Sequence, residues 1–231
     1  MNFAIIAAAG TSIRMNGINK ILYKIYGKPV IYWTLRAFES AEEVNTIIVV
    51  VKPEELSEIN KLIKQWNFTK VKSVIIGGEN RQQSIFLGIQ KAEQLGFSDK
   101  DLCVMHDGAR PLIKIDKINK LIQTANKKGA TVLAVAAKDT IKQVDEQQRV
   151  IRTLDRDCLW LVQTPQAVRF GIVKDVFERS IEENFFSTDE AGLLEHFGYS
   201  VRIIEGNYEN IKITTPEDLE IVKAFLRKKQ L

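Results

Sequence analysis

Cysteine and histidine are scarce in this chain, which has two of each among 231 residues. Cys103 and Cys158 form no C-x-x-C pair, and with two histidines, His106 and His196, they make no zinc-ligand cluster. The sequence therefore offers no zinc centre. The two cysteines are expected to be free, buried thiols of a cytoplasmic protein.

Long apolar runs and a strong charge of one sign are also missing. No apolar run approaches the length of about 18 residues that marks a membrane span, and the first residues lack the pattern of a signal peptide. Lys and Arg number 33 against 29 Asp and Glu, and no basic stripe interleaved with aromatics is present. We therefore expect no membrane and no nucleic-acid partner, whereas the net charge of +4 is compatible with anionic substrates. The length predicts a single domain over residues 1–231.

Strand-like and helical segments alternate along most of the chain. Apolar runs predict strands at 3–6, 46–51, 71–76, 102–106, 131–136, 159–162 and 199–204. Helical spacing predicts helices at 30–38, 54–66, 84–95, 115–127, 171–183 and 189–197, with a closing helix after Thr215. Strands and helices that alternate with short links predict an α/β fold with a doubly wound, mainly parallel sheet.

The alternation is interrupted between residues 139 and 154. Residues 139–144 and 149–154 each alternate apolar with polar side chains around the polar turn 145–148. This pattern predicts a two-stranded antiparallel ribbon. Because such a ribbon is marginally stable alone, it must pack on its own domain or on a second subunit, and the pattern leaves both open.

The first predicted strand leads into a loop of very small side chains. Residues 7–10 read Ala-Ala-Ala-Gly, which allows backbone N–H groups to face a ligand closely. Two cations, Arg14 and Lys20, follow. Backbone amides and cations after a first β-strand predict a phosphate site. The alternative is an ordinary tight turn with two surface cations.

Polar segments also follow the other predicted strands, at 77–84, 106–111, 139–140, 163–166 and 210–214. In an open parallel sheet, the carboxyl ends of the strands share one edge, where ligands bind. Asp107 is the candidate metal ligand, because magnesium takes carboxylate oxygens together with substrate phosphates. Alternatively, Asp107 caps the next turn or pairs with Arg110. His106 could act as a general base, but no nucleophilic Ser or Cys constellation accompanies it.

Two common nucleotide signatures are absent. The sequence has neither G-x-G-x-x-G after the first strand nor G-x-x-x-x-G-K-[ST], which argues against a hydride-transfer enzyme and a Walker-type ATPase. The loops instead resemble those of nucleotidyltransferases that join a nucleoside triphosphate to a sugar or polyol phosphate. Within that group they are similar to the 2-C-methyl-D-erythritol 4-phosphate cytidylyltransferases. The similar segments are 7–15 with Lys20, 77–84, 106–111, 139–140, 164–166, 188–191 and 210–219.

The resemblance implies a Rossmann-like nucleotidyltransferase fold and a reaction of CTP with methylerythritol phosphate that depends on Mg²⁺. It implies catalytic roles for Arg14 and Lys20. It also implies a homodimer in which a protruding β-arm at about 138–158 reaches the partner's site. The implied substrate-positioning residues are Arg156, Lys212, Asp107, Arg110, Thr140 and Thr164. The implied nucleotide-binding residues are Ala7, Ala8, Ala9, Gly10, Thr11, Gly77, Gly78, Arg81, Ser84, Gly108 and Ala109, with Asp107 as the metal ligand.

Three residues depart from the family's usual pattern. Ser12 stands where a second glycine is usual, Asn19 where a proline precedes the lysine, and Ile21 where a glutamine follows it. We expect Ser12 to narrow the conformations of the loop and Asn19 to give the Lys20 segment more freedom. None of the three departures removes a reacting group.

Two other functions compete with the isoprenoid enzyme. A ribitol-5-phosphate cytidylyltransferase of cell-wall synthesis would have the same fold and chemistry, but segments 106–110 and 188–191 favour the isoprenoid enzyme. The other competitor is a non-catalytic, nucleotide-binding regulatory subunit. Against it stands the combination of Arg14, Lys20 and Lys212 with the carboxylate of Asp107, because binding alone would not require all four.

Overall fold

A computed structural model describes residues 1–228, so the last three residues of the predicted domain, 229–231, lie outside the described part of the chain. The strands are β1 (Asn2–Ala7), β2 (Lys24–Ile25), β3 (Lys28–Pro29), β4 (Thr46–Val51), β5 (Val71–Ile76), β6 (Leu102–Asp107), β7 (Ala130–Ala136), β8 (Lys142–Val144), β9 (Val150–Thr153), β10 (Trp160–Arg169) and β11 (Arg202–Glu205). The helices are α1 (Val30–Ser40), α2 (Leu56–Gln65), α3 (Arg81–Gln94), α4 (Ile115–Lys128), α5 (Phe170–Glu182), α6 (Glu190–His196) and α7 (Pro216–Lys228). None of these helices is long and apolar enough to cross a membrane.

Seven strands form one sheet in the order β11-β7-β10-β6-β1-β4-β5. Neighbouring strands pair in parallel, except that β10 runs antiparallel to both β6 and β7. The predicted α/β class with a doubly wound, mainly parallel sheet is therefore confirmed. The small hairpin of β2 and β3, which lies between β1 and α1 in the chain, was not predicted.

Both faces of the sheet carry hydrophobic core. Along β1, Ile5 belongs to one buried cluster and Ile6 to the other, and Val49 and Val50 of β4 are divided in the same way. Successive side chains of a strand point to opposite faces. Since helices cover both faces, these strands are continuous apolar runs rather than alternating patterns.

Strand β10 differs from the prediction in length and direction. A short return strand at 159–162 was expected, but β10 extends from Trp160 to Arg169 and is antiparallel to its neighbours. Because the chain leaves β7 at the carboxyl edge of the sheet and re-enters from that same edge, β10 must run in the opposite direction. Thr164 therefore lies within β10, where the pairing register shifts between Val162 and Gln166, and not in a loop after a strand.

Strands β8 and β9 form the predicted antiparallel ribbon, with Lys142 opposite Thr153. Every residue of these two strands is exposed, including Val150 and Ile151, so the ribbon does not pack on the described body of its own chain. The expectation of two buried thiols is half wrong. Both cysteines are free, but only Cys103 is buried, because Cys158 precedes the point at which β10 enters the sheet.

Candidate active site

Two adjoining clefts open at the carboxyl edge of the parallel strands. The first is lined by Ala7, Ala8, Ala9, Gly10, Thr11, Lys20, Ile21, Gly78, Glu79, Asn80, Arg81, Ser84, Asp107, Ala109 and Lys212. The second is lined by Arg81, Asp107, Arg110, Val162, Gln163, Thr164, Gln166, Thr188, Asp189 and Lys212. The clefts share Arg81, Asp107 and Lys212. The strand-end loops thus meet at one edge, as the sequence predicts.

Two of the predicted nucleotide-binding glycines, Gly77 and Gly108, are not among the residues that line either cleft. A Cβ on Gly77 would lie 2.5 Å from Ala9 Cβ and 2.8 Å from Ser84 Oγ. A Cβ on Gly108 would lie 3.1 Å from Ala8 Cβ. The missing Cβ at both glycines therefore allows close packing against the side chains of the small-residue loop, and the two glycines support this loop from behind rather than lining a cleft.

Asp107 lies at the junction of the clefts, surrounded by three cations. Its Oδ1 accepts from Arg81 Nε at 2.9 Å, and its Oδ2 lies 3.0 Å from Lys212 Nζ and 3.4 Å from Arg110 Nε. Burial alone would raise the pKa of Asp107, but these cations hold it well below its ordinary value. The carboxylate is therefore charged at neutral pH. Of the two alternatives to a metal ligand, pairing with Arg110 is present in the structure.

Arg81 is held in place by a second buried carboxylate, Glu190. Arg81 Nη1 lies 2.5 Å from Glu190 Oε1, and Nη2 lies 3.2 Å from Oε2, which is a two-pronged contact. Burial would lower the pKa of Arg81, but Glu190 and Asp107 raise it far above its ordinary value. Sequence reasoning assigned no role to Glu190. The available signal was its place just after Asp189, which caps α6 by accepting from Gly192 N.

The hydroxyl of Thr164 connects the backbone of Asp107 to the ring of His106. Asp107 N–H donates to Thr164 Oγ1 at 3.0 Å, and Thr164 Oγ1 lies 3.0 Å from His106 Nδ1. Because His106 Nε2 faces the carbonyl oxygen of Arg110 at 3.2 Å, Nε2 carries the proton and Nδ1 accepts from Thr164. Burial lowers the pKa of His106 to about 3, so the ring is neutral at neutral pH. This arrangement supports Asp107 and does not favour a general base at His106.

Lys20 faces the first cleft close to the other charges of the site. Burial lowers the pKa of Lys20, and the charges of Lys212 and Arg14 lower it further, whereas Asp107 raises it. Arg14 is exposed on the 3₁₀ turn Ile13–Met15 and is not among the residues that line the cleft. The two predicted cations are therefore near enough to interact, and of the two only Lys20 lines the first cleft.

The sequence profile of the family described as IspD, 2-C-methyl-D-erythritol 4-phosphate cytidylyltransferase, matches residues 2–228. The chain belongs to this family. The family member from Caldanaerobacter subterraneus subsp. tengcongensis is 40% identical over 227 residues, which cover 97% of this chain and 98% of that one. The member from Bacillus licheniformis is 41% identical, with 98% and 96% covered.

Solved structures of the family have the same fold. The 4-diphosphocytidyl-2C-methyl-D-erythritol synthase from Anaerococcus prevotii superposes with a TM-score of 0.85 at 30% identity, covering 98% of this chain and 96% of that one. The 2-C-methyl-D-erythritol 4-phosphate cytidylyltransferase from Francisella tularensis gives a TM-score of 0.80 at 34% identity, with 96% and 98% covered. The predicted Rossmann-like nucleotidyltransferase fold is confirmed by these likenesses.

The departures from the cytidylyltransferase pattern have local structural consequences. Ser12 has φ 56° and ψ 30°, a left-handed conformation that favours the glycine usual at this position. Asn19 is restrained in a different way from a proline, by hydrogen bonds of its side chain to Ile21 N, Leu22 N and Glu55 Oε1. The expected freedom of the Lys20 segment is therefore opposed by a set of contacts that the sequence did not reveal.

Two of the predicted positioning residues lie away from the clefts of their own chain. Thr140 is exposed just before β8. Arg156 is exposed at the base of the ribbon, where its Nη1 donates to the carbonyl oxygen of Lys138 at 2.8 Å. Neither side chain is among those that line the two clefts of the described chain.

Replacing Asp107 by asparagine is expected to lower the free energy of unfolding by about 3–5 kcal/mol, because Arg110 and Lys212 then lose their buried counter-charge and Arg81 keeps only Glu190. The measurement is urea unfolding at neutral pH. Asp107 stabilises the fold in its ionised form, and the pKa of its carboxyl group is lowered in the folded chain. This stabilisation should therefore be present above the unfolded pKa of about 3.9 and be lost at lower pH.

Asp99→Asn is the control for this experiment, since Asp99 pairs with Lys174 at 3.5 Å on the surface. It should change the free energy of unfolding by less than about 1 kcal/mol. Equal effects of Asp107→Asn and Asp99→Asn would contradict the assignment of Asp107 as the buried counter-charge.

Replacing Ser12 by glycine is expected to raise the free energy of unfolding by about 0.5–1 kcal/mol, because glycine adopts the left-handed conformation without the Cβ penalty. Thermal and urea unfolding measure the change. Ser57→Gly, on the exposed face of α2, should have the opposite sign and lower stability by about 0.5 kcal/mol. A loss of stability in both variants would refute the strain at Ser12.

Proposed function

We propose that this chain joins CTP and 2-C-methyl-D-erythritol 4-phosphate to give 4-diphosphocytidyl-2-C-methyl-D-erythritol and pyrophosphate, in the non-mevalonate isoprenoid pathway. One observation carries the proposal. The two adjoining clefts share Arg81, Asp107 and Lys212, so two anionic substrates placed in them would meet at one charged junction. Membership of the family supplies the identity of the substrates. The proposed location is the cytoplasm, where free thiols stay reduced.

The proposed reaction is a direct transfer without a covalent enzyme intermediate. An oxygen of the methylerythritol phosphate forms a bond to the α-phosphorus of CTP. The bond from that phosphorus to the oxygen bridging to the β-phosphate breaks, and pyrophosphate leaves with the electron pair. The attacking phosphate is already ionised at neutral pH, so a protein base is unnecessary, in keeping with the neutral ring of His106. The main barrier is repulsion between two polyanions, which cations lower.

Each cleft receives one substrate in this proposal. CTP occupies the first cleft, where the backbone of residues 7–11 faces its phosphates and Lys20, with Arg14, stabilises charge that develops on the α-phosphoryl group. The polyol phosphate occupies the second cleft, near Arg110 and Lys212. The residues proposed to contact or shape the nucleotide site are Ala7, Ala8, Ala9, Gly10, Thr11, Gly77, Gly78, Arg81, Ser84, Gly108 and Ala109.

Magnesium fits this site as an ion held mainly by substrate phosphates. Among residues 1–228, no group of three or more His, Cys, Asp or Glu side chains is placed to hold a metal on its own. Asp107 offers one carboxylate at the junction, and its Oδ1 accepts a single hydrogen bond, from Arg81, which leaves a lone pair for a cation. Magnesium prefers such sites of one or two carboxylates plus phosphates. When bound, it would neutralise phosphate charge, with Asp107 as its ligand from the protein.

The proposed enzyme is a homodimer in which each chain, residues 1–231, forms one domain with a β-arm at about 138–158. Apolar side chains are exposed along this arm and at the start of β10, namely Val144, Val150, Ile151, Trp160, Leu161 and Val162. Several exposed apolar side chains grouped in one part of the chain support a protein interface. Thr140 and Arg156 are then proposed to serve the partner's site, since they lie away from the clefts of their own chain.

The activity is tested by pyrophosphate release from CTP and Mg²⁺, with methylerythritol phosphate or ribitol phosphate as the acceptor. Lys20→Met is expected to lower kcat by about 100-fold or more, because the lysine acts on charge that develops in the transition state. The Kd for CTP, measured by calorimetry, should change by less than about tenfold. Lys24→Met, at an exposed position in β2, is the control and should leave kcat unchanged.

Three outcomes separate the competing functions. Release with methylerythritol phosphate alone would support the proposal. Pyrophosphate release only with ribitol phosphate would support the same transfer reaction with ribitol phosphate as the acceptor. CTP binding without release under either condition, with Lys20→Met changing affinity alone, would indicate a nucleotide-binding regulatory protein.

The dimer is tested by placing a charge on the arm. Ile151→Asp is expected to raise the dimer dissociation constant by about tenfold or more, because Ile151 is 59% exposed in the single chain and would be buried in the interface. Sedimentation velocity over a concentration series measures the change. Ile181→Asp, which alters a similarly exposed side chain on α5, is the control. A wild-type monomer, or equal effects of the two variants, would reject the proposed arm interface.

A further inference from the structure

Glu55 is a buried carboxylate to which the proposed mechanism gives no role. It ends the 3₁₀ turn Pro53–Glu55 that follows β4, and it is 2% exposed. Its Oε1 accepts a hydrogen bond of 2.7 Å from Asn19 Nδ2, whereas its Oε2 is buried without a hydrogen-bond partner among the described residues. A buried carboxylate with half of its acceptors unused lowers the stability of a fold. Its presence therefore requires a reason other than stability.

The partner of Glu55 connects it to the backbone next to Lys20. Asn19 Oδ1 accepts from the backbone N–H of Ile21 at 3.1 Å and of Leu22 at 3.2 Å. Backbone N–H groups are donors only, so they fix the orientation of the amide and direct its Nδ2 towards Glu55. The carbonyl oxygen of Asn19 also accepts from Tyr23 N at 2.9 Å. Lys20 thus lies inside a turn whose shape depends on the side chain of Asn19.

We propose that Glu55 is a positioning residue that acts through Asn19 to fix the backbone of Lys20 in the first cleft. The proline usual at position 19 in the family restrains the chain through its ring, and in this chain hydrogen bonds from Asn19 perform the same task. Asn19 N is not a donor in the backbone hydrogen bonds of the described chain, so a proline at this position would break none of them. The inference rests on the proposed function of Lys20.

The first test replaces the carboxylate by an apolar side chain of similar size. Glu55→Met is expected to lower kcat by about tenfold or more, because a displaced catalytic group loses transition-state contact. The KM for CTP should change by less than about threefold, since Lys20 contributes little to ground-state binding. Glu55→Gln keeps an oxygen that accepts from Asn19 and should restore most of the turnover. Glu54→Met is the matched control, because Glu54 is exposed and makes no hydrogen bond to the turn that contains Asn19 and Lys20.

The second test repeats the substitution in a background in which a proline, and not the hydrogen bond between Glu55 and Asn19, restrains the backbone. In Asn19→Pro enzyme, Glu55→Met should change kcat by less than about twofold, because the proline ring restrains the backbone instead. If Glu55→Met does not fold in the wild-type background, Asn19→Leu breaks the same link from the other side. It should give the same loss of kcat with little change in KM.

Amide hydrogen exchange gives a readout that does not depend on turnover. The amides of Ile21 and Leu22, which donate to Asn19, should exchange about tenfold faster or more in Glu55→Met than in Glu54→Met. If Glu55→Met has the same kcat as the wild type and its amides of Ile21 and Leu22 exchange at unchanged rates, the inference is overturned and the proposed function stays intact. Equal losses of kcat in the wild-type and Asn19→Pro backgrounds would also overturn it. Absence of pyrophosphate release from the wild type would reject the proposed function. The exchange rates would still decide whether Glu55 restrains the Lys20 turn through Asn19.

Discussion

The electrostatic environment of one buried carboxylate determines how this site is organised. Arg81, Arg110 and Lys212 converge on Asp107, with contacts of 2.9 to 3.4 Å. Cations so close together would repel one another and disperse without a shared counter-charge. Asp107 and Glu190 together balance part of the positive charge, and Lys20 remains beside them in the first cleft. The result is a junction at which cations and carboxylates hold one another in place.

The fold places Asp107 at this junction through strand register. Asp107 is the last residue of β6 and pairs with Ala7, the last residue of β1. The small-residue loop therefore begins at the same level as the carboxylate, and phosphates held by that loop would lie next to the cations. On the other side of β6, the antiparallel β10 supplies Thr164, whose hydroxyl bonds to Asp107 N. Three neighbouring strands thus determine the position of one side chain.

The sequence predicted the elements better than it predicted their partners. The strands β4 and β5 have the predicted bounds, because a short segment rich in β-branched residues is a local signal. The direction of β10 was not predictable in this way, since it depends on the edge from which the chain re-enters the sheet. The role of Glu190 was missed for a related reason. Its partner, Arg81, is 109 residues away in the chain, and no local pattern encodes that pairing.

The departures from the family pattern show the same limit at the scale of single residues. Similarity carried Lys20 over as a candidate catalytic residue, but it carried no information on how this chain holds it. At position 12 the chain keeps a left-handed backbone without the glycine that suits it, and no compensating side-chain cap is present there. At position 19 it lacks the proline but gains an amide that bonds to two backbone N–H groups and to Glu55. The effect of a substitution next to a reacting group therefore depends on the contacts that replace the lost backbone restraint. These contacts appear only in the folded chain.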